Sequence, residues 1–204
     1  MEDNDTYKTL LRPSEEVLFK DKNSKFLGYA FPVQNEEEVR SHIDYLKKKH
    51  HSARHWCYAW QLGKEDIQHR VNDDGEPGNS AGQPIYGQIQ AYGVTDVLIV
   101  IVRYYGGVKL GVGGLMIAYK TASKMALEVS DIVEKTINLK FLIVTDYENI
   151  HKVMRVIKEK RLDILHQKME MDCHVTISVR KKEAEQTFTI FQSIYGIFIK
   201  PLTD

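Results

Sequence analysis

The sequence predicts an α+β protein of two domains. Three observations carry that expectation: strands of period two mixed with helices of period 3.6 through the first part of the chain, a self-contained βαββαβ order that starts near Asn138, and a length of 204 residues, enough for two small cores. The division is expected near Val133 to Asn138, giving domains over 1–135 and 136–204, with no low-complexity linker between them.

Glu16 to Lys20 and Lys25 to Val33 read as two strands of a hairpin joined by the turn-forming Asp21-Lys22-Asn23-Ser24. Asn35 can cap a helix that runs to Lys49. Val39, Ile43 and Leu46 recur there at helical spacing, with three glutamates in the first turn and three lysines in the last. His55 to Leu62 alternates Trp56, Tyr58 and Trp60 against His55, Cys57 and Ala59, the period of a strand, and Gly63 to Asp66 turns it into a second strand over Ile67 to Val71. Asn72 to Gly82 is polar and glycine-rich. Pro84 then suits the first turn of a helix over about Gln83 to Tyr92. Val97 to Tyr105 is the buried central strand, and Gly106 to Gly114 links it to a helix carrying Leu115, Ala118, Ala122, Met125 and Ala126. The second domain follows as strand Asn138 to Thr145, helix Glu148 to Lys160, strands Ile164 to Glu170 and Cys173 to Val179, helix Glu183 to Ile194 and strand Ile197 to Leu202. That order is ferredoxin-like.

Composition narrows the function classes. Lysine plus arginine and aspartate plus glutamate are equal at 28 each, so no overall field draws the chain to a polyanion and any such contact must be local. Cys57 and Cys173 are the two cysteines, far apart and without C-x-x-C spacing, which suits a reducing compartment. The amino terminus, Met1 to Asp5, is acidic and polar, unlike a secretory signal. The longest apolar run, Val97 to Val102, is far short of the roughly 20 residues that span a bilayer. A cytoplasmic protein with no membrane partner is expected.

Two segments carry chemistry. Arg103-Tyr104-Tyr105-Gly106-Gly107-Val108-Lys109-Leu110-Gly111-Val112-Gly113-Gly114 places five glycines between a buried strand and a helix. Glycine lets the backbone approach a ligand or another segment, and amides at a helix start favour anions. The segment lacks the serine or threonine of a P-loop after its lysine, and Met116 stands where G-x-G-x-x-G needs its last glycine. No nucleotide cofactor is therefore expected. Tight turns and close helix packing are the alternative use of the glycines, while Arg103, Lys109 and Lys120 point to a polyanion. Asp73-Asp74-Gly75-Glu76-Pro77 brings three carboxylates to a turn before another helix. They can hold magnesium or supply a base, or they can cap backbone amides in an Asx-turn. The two segments are expected to converge, opposite charges partly paired across a shallow groove.

His50, His51, His55 and Cys57 match no closed zinc motif, and Cys57 reads as a buried apolar residue rather than the nucleophile of a pair with His55. Lys47 to His51 with Arg54 and the nearby Trp56, Tyr58 and Trp60 combine the ingredients of a single-stranded nucleic-acid surface. Lysines answering a helix dipole and aromatics turned into a core explain the same pattern.

Taken together, Ser24-Lys25-Phe26-Leu27-Gly28, Ala53 to Ala59, Asp73 to Pro77 and Arg103 to Gly111 resemble the IMPACT family in its bacterial YigZ-like form, over nearly the whole chain. The resemblance implies a first domain like domain two of ribosomal protein S-five, shared with the GHMP kinases and domain four of elongation factor G. It also implies a second, ferredoxin-like domain resembling that factor's domain five. Eukaryotic members regulate translation through the pathway that senses amino-acid starvation, using an additional amino-terminal partner-binding domain. This sequence starts directly at the IMPACT segment, so that partner mechanism is not expected to transfer. Kinase chemistry is not expected either, because Gly111-Val112-Gly113-Gly114 lacks the serine of the GHMP phosphate loop. The expectation is a translation-related regulatory protein that binds RNA, the ribosome or a translation-associated protein. Its candidate residues are Asp73, Asp74, Glu76, Arg103, Tyr104, Gly106, Gly107, Lys109 and Lys120, with no cofactor, no metal site and no assigned catalytic residue. The alternative is a metal- or phosphate-dependent enzyme using the same carboxylates.

Overall fold

A computed structural model describes residues 5–202. Residues 1–4, which carry most of the reading of the amino terminus, lie outside the described residues. The described residues fall into two compact units, one of 7–135 and one of 136–202 with 5–6.

The first unit is built on a five-stranded sheet. Its strands are β2 (Val17–Asp21), β3 (Ser24–Pro32), β4 (His55–Leu62), β5 (Gln68–Asn72) and β6 (Val97–Tyr104), in the spatial order β2-β3-β6-β4-β5 with every neighbouring pair antiparallel. The β2–β3 hairpin turns through Lys22 (φ 42°) and Asn23 (φ 65°), both left-handed as a two-residue hairpin turn requires. β6 lies in the middle because Val97 to Val102 is apolar on both faces, and all six residues are fully buried. Ile99 and Ile101, with Phe26, Ala30, Cys57 and Ala59 beside them, pack under α2 (Gly82–Tyr92) and α3 (Gly111–Glu128). Gly28 permits that approach, since a Cβ there would lie 2.9 Å from the carbonyl oxygen of Ala122. Leu98, Val100 and Val102 face the other way, toward Val39, Ile43 and Leu46 of α1 (Glu36–Lys49). Asn35 caps α1 by accepting from Glu38 N at 2.9 Å, and the Glu38 carboxylate accepts in return from Gln34 N at 2.9 Å.

The aromatics of β4 belong to this second layer: Trp60 is buried, and Trp56 and Tyr58 pack against the α1 cluster. Trp60 is thus a core residue, while Trp56 and Tyr58 remain half-buried, with Lys47 Nζ 5.9 Å from the centroid of the Trp56 ring. Two elements were not expected. β1 (Thr6–Leu10) and β7 (Ile132–Thr136) pair as a two-stranded ribbon, with Lys8 also bridging Val94.

The second unit contains β8 (Asn138–Thr145), α4 (Ile150–Lys160), β9 (Asp163–Met169), β10 (Cys173–Arg180), α5 (Lys181–Gln192) and β11 (Ile197–Leu202). Its sheet has the order β11-β8-β10-β9, antiparallel throughout. Alternation sorts β8, β10 and β11: Phe141, Ile143, Val175, Ile177 and Ile199 join Val153, Ile157 and Phe191 from the helices in one core, while the intervening residues line the opposite face; β9, at the sheet edge, is exposed throughout.

Candidate functional site

The carboxylate loop and the glycine segment do converge, and the contact is a buried ion pair. Arg103 sits at the carboxyl end of β6, directly opposite Phe26 on β3 and His55 on β4. Its Nη1 lies 2.6 Å from Glu76 Oε1, and the two side chains are only 5% and 4% exposed. The Tyr119 hydroxyl, carried by α3, donates to the same Glu76 oxygen at 2.8 Å. Arg103 Nη2 reaches Ser24 Oγ at 3.4 Å, and the guanidinium lies between the rings of Phe26 and Tyr105, 5.3 and 5.5 Å from their centroids. Ser24 Oγ also accepts from Gly106 N at 3.1 Å. Arg103 Nε has no hydrogen-bond partner among the described residues.

The remaining carboxylates are occupied by backbone. Asp73 Oδ1 accepts from Ala81 N and Gly82 N at 2.9 and 2.8 Å, and its Oδ2 accepts from Asn79 N at 2.8 Å. Ala81 has no side chain able to cap α2, so Asp73 performs that service from upstream. Asp74 Oδ2 accepts from Trp56 N at 2.7 Å, and its carbonyl lies 2.9 Å from His55 Nδ1. The three carboxylates therefore point at three different sets of donors and do not form the ligand set that magnesium requires. Among the described residues no group of three or more His, Cys, Asp or Glu side chains is placed to hold a metal ion. Replacing Asp73 by Ala is expected to lower stability by about 1–3 kcal/mol by orphaning amides at the start of α2, with amide hydrogen exchange of Asn79, Ala81 and Gly82 rising first.

Cys57 completes the buried network. Its Sγ lies 3.0 Å from the Asp73 carbonyl and 3.2 Å from the Tyr119 hydroxyl. Burial pushes the thiol well above its ordinary pKa, so Cys57 stays protonated and is not a nucleophile activated by His55. Burial likewise raises Tyr119, with Cys57 and Glu76 adding to the effect.

Above this network lies an open groove of roughly 510 Å³, lined on its polar side by Arg54, His55, Glu76, Arg103 and Lys109 and on its apolar side by residues including Tyr105, Leu110, Val112 and Leu115. Lys109 and Arg54 are exposed and make no ion pair with a carboxylate among the described residues. The groove ends at the first turn of α3, where Leu110 provides no capping side chain. Here the loop is shorter than expected. Gly111, Gly113 and Gly114 belong to the helix, and Gly111 (φ 77°) is the left-handed residue that enters it.

The structure separates the other candidates. Tyr104 points to the opposite sheet face, its hydroxyl 3.0 Å from His50 Nδ1. Lys120 lines a different hollow with Gln83, Pro84, Met116 and Ile117. Gly107 is exposed with φ 84°, and Gly106 is pressed against the Asn23–Ser24 backbone. Arg103, Lys109 and Lys120 thus do not make one positive surface: the first is buried and neutralised, and the third is elsewhere. Ser24, Arg54 and Tyr119 are parts of the site that the candidate residues do not include, because their significance lies in contacts across β3, β4 and α3 and no local spacing signals it.

An α+β chain of two compact units, the first carrying an open groove set over a buried Arg–Glu–Tyr network, defines the class of this protein. The Impact N-terminal domain family matches residues 22–127, the segment that contains this network. A Haemophilus influenzae IMPACT family member is 31% identical over 179 residues, covering 86% of this chain and 87% of that protein. YigZ of Escherichia coli, also an IMPACT family member, is 33% identical over 66% of this chain and 67% of its own length. The chain belongs to the IMPACT family. A solved structure described as a hypothetical protein shares the fold over 98% of both chains, with a TM-score of 0.73 and 22% identity.

Proposed function

We propose that this is a cytoplasmic, non-enzymatic regulatory protein of translation that holds RNA, on the ribosome or free, in the groove beside α3. The observation that carries the reading is the juxtaposition of Arg54 and Lys109 with the exposed Tyr105 ring and the uncapped start of α3, over a carboxylate whose charge Arg103 already balances. Cations for phosphates beside an aromatic face for a base are what single-stranded RNA binding uses. The family supports the link to translation, and Asp73, Asp74 and Glu76 each accept hydrogen bonds from the chain's own donors. Among the described residues no helix is long and apolar enough to cross a membrane.

The same reading takes the two units as separate domains, over 1–135 and 136–204. The first is like domain two of ribosomal protein S-five. The second is ferredoxin-like, as the βαββαβ order and the 11-8-10-9 strand arrangement support.

Fluorescence anisotropy with labelled single-stranded RNA across a salt series tests the groove. Removing Lys109 and Arg54 together should weaken binding and reduce the salt slope by about 1.4, near 0.7 for each lost phosphate contact. Lys120→Ala, in its separate hollow, should leave both unchanged. Wild-type protein that shows no salt-dependent RNA or ribosome association, or a double variant that binds like wild type, would remove the groove from consideration.

A further inference from the structure

The chain's own hydrogen bonds satisfy only half of the Glu76 carboxylate. Oε1 accepts from Arg103 Nη1 at 2.6 Å and from the Tyr119 hydroxyl at 2.8 Å. Oε2 accepts from no group among the described residues, although the side chain is 4% exposed and an ionised carboxylate oxygen left without a donor is costly. It is not one of the sealed, unpartnered polar atoms, which are Arg103 Nε and Trp56 Nε1. Glu76 lines the groove, so Oε2 offers its lone pairs there.

The neighbours of Oε2 select what it receives. Arg103 already balances the charge of the carboxylate, and Arg54 and Lys109 line the same groove, so an ammonium or guanidinium ligand meets net repulsion. A neutral N–H donor does not. The Tyr105 ring, 44% exposed, adjoins the same guanidinium, its centroid 5.5 Å from Arg103 Cζ, so a stacking face and the free oxygen belong to one subsite. Neutral N–H donors on a flat ring, carried by an anionic chain, are the bases of a nucleic acid, and unpaired bases are read on their Watson–Crick edges. Those edges differ in what they bring to a carboxylate oxygen. Guanine presents two adjacent donors, N1–H and the N2 amino group. Adenine and cytosine set one amino donor beside a ring nitrogen that is an acceptor, and uracil sets N3–H between two carbonyls, so each turns a lone pair toward Oε2. We infer that the groove selects guanine, read through Glu76 Oε2. This rests on the RNA reading of the groove and adds the base it prefers.

The wild-type chain carries the test, with fluorescein-labelled oligouridylates of about nine nucleotides, on the order of a single-stranded binding site. Each bears one central guanosine, adenosine, cytidine, inosine or N1-methylguanosine. Guanosine should bind about tenfold tighter than adenosine, within the range of one well-made bidentate contact to a base. Inosine, which lacks the amino group, should fall between them, and N1-methylguanosine, which lacks the ring N–H, should bind no better than adenosine. Glu76→Gln keeps an oxygen for Arg103 and Tyr119 but puts an amide donor in place of Oε2, and it should erase the ranking. Where that variant fails to fold, the modified bases decide alone. Equal affinity for every central base, with binding lost when Arg54 and Lys109 are removed, overturns the guanine inference and leaves the groove as an RNA site. A guanosine preference that survives N1 methylation overturns it too, because stacking would then set the order. No binding of any oligonucleotide by wild type overturns both.

Discussion

Glu76→Ala is expected to cost about 3–5 kcal/mol of stability, because it strips a buried guanidinium of its counter-charge and leaves Tyr119 without its acceptor. The native pair is nearly sealed from water, so solvent cannot replace the carboxylate unless the strand end opens. An exposed pair such as Arg12–Asp131, with N···O at 2.8 Å, sets the contrasting scale, since surface bridges contribute at most about 1 kcal/mol. Urea unfolding monitored by tryptophan fluorescence reads the loss directly. A double variant, Glu76→Leu with Arg103→Met, should recover part of it, because no unpaired charge is then left in the interior. If Glu76→Ala costs less than about 1 kcal/mol, the guanidinium is being hydrated and the network is not a buried one.

Gly106→Ala should be nearly as damaging, at about 3 kcal/mol or more, the upper range of overpacking. A Cβ at this position would overlap backbone atoms of Asn23 and Ser24, and backbone cannot rotate out of the way as a side chain can. The hydrogen bond from Gly106 N to Ser24 Oγ would break with the same displacement, loosening the contact that seats Ser24 beside Arg103. Gly107→Ala is the internal comparison. A Cβ there would meet nothing within 4 Å, so the cost is confined to holding alanine at φ 84°, roughly 1–2 kcal/mol. Thermal melts of the two variants should therefore differ clearly, and equal destabilisation would mean that the close approach of the hairpin is not what position 106 protects.

Much of the fold is legible because local rules and tertiary structure agree. His55–Leu62, Asn138–Thr145 and Ile197–Leu202 are strands over the limits that their alternation suggests, and the cap at Asn35 forms as its neighbours require. The failures have specific causes. Glycine is a poor helix former, so Gly111 to Gly114 reads as loop; in the structure, the packing of Leu115, Ala118, Tyr119 and Ala122 sustains the helix through them. The ribbon of β1 and β7 joins segments more than a hundred residues apart, and neither has enough alternation to announce itself. At the site, the meeting of the two charged segments follows from their positions before helix starts. The fate of each charge does not. Arg103 reads as a phosphate contact because arginine is usually solvated, and its burial depends on Glu76, Ser24 and Tyr119 arriving from three other elements.

The strand order β2-β3-β6-β4-β5 has a further consequence for synthesis. β3 and β4 are never neighbours. Each waits for β6 to insert between them, and β6 is made only after both, together with α1, β5 and α2, have left the peptidyl transferase centre. Until then the nascent chain carries two strands with unpaired edges and an apolar face on each side, the state most open to aggregation. Closing the span from β3 to β6 adds only a logarithmic entropy cost, so the delay is one of timing and not of thermodynamics. Arrival of the Val97–Val102 run, near the middle of the 204-residue chain, then supplies both missing ladders in one step, which makes acquisition of this sheet abrupt.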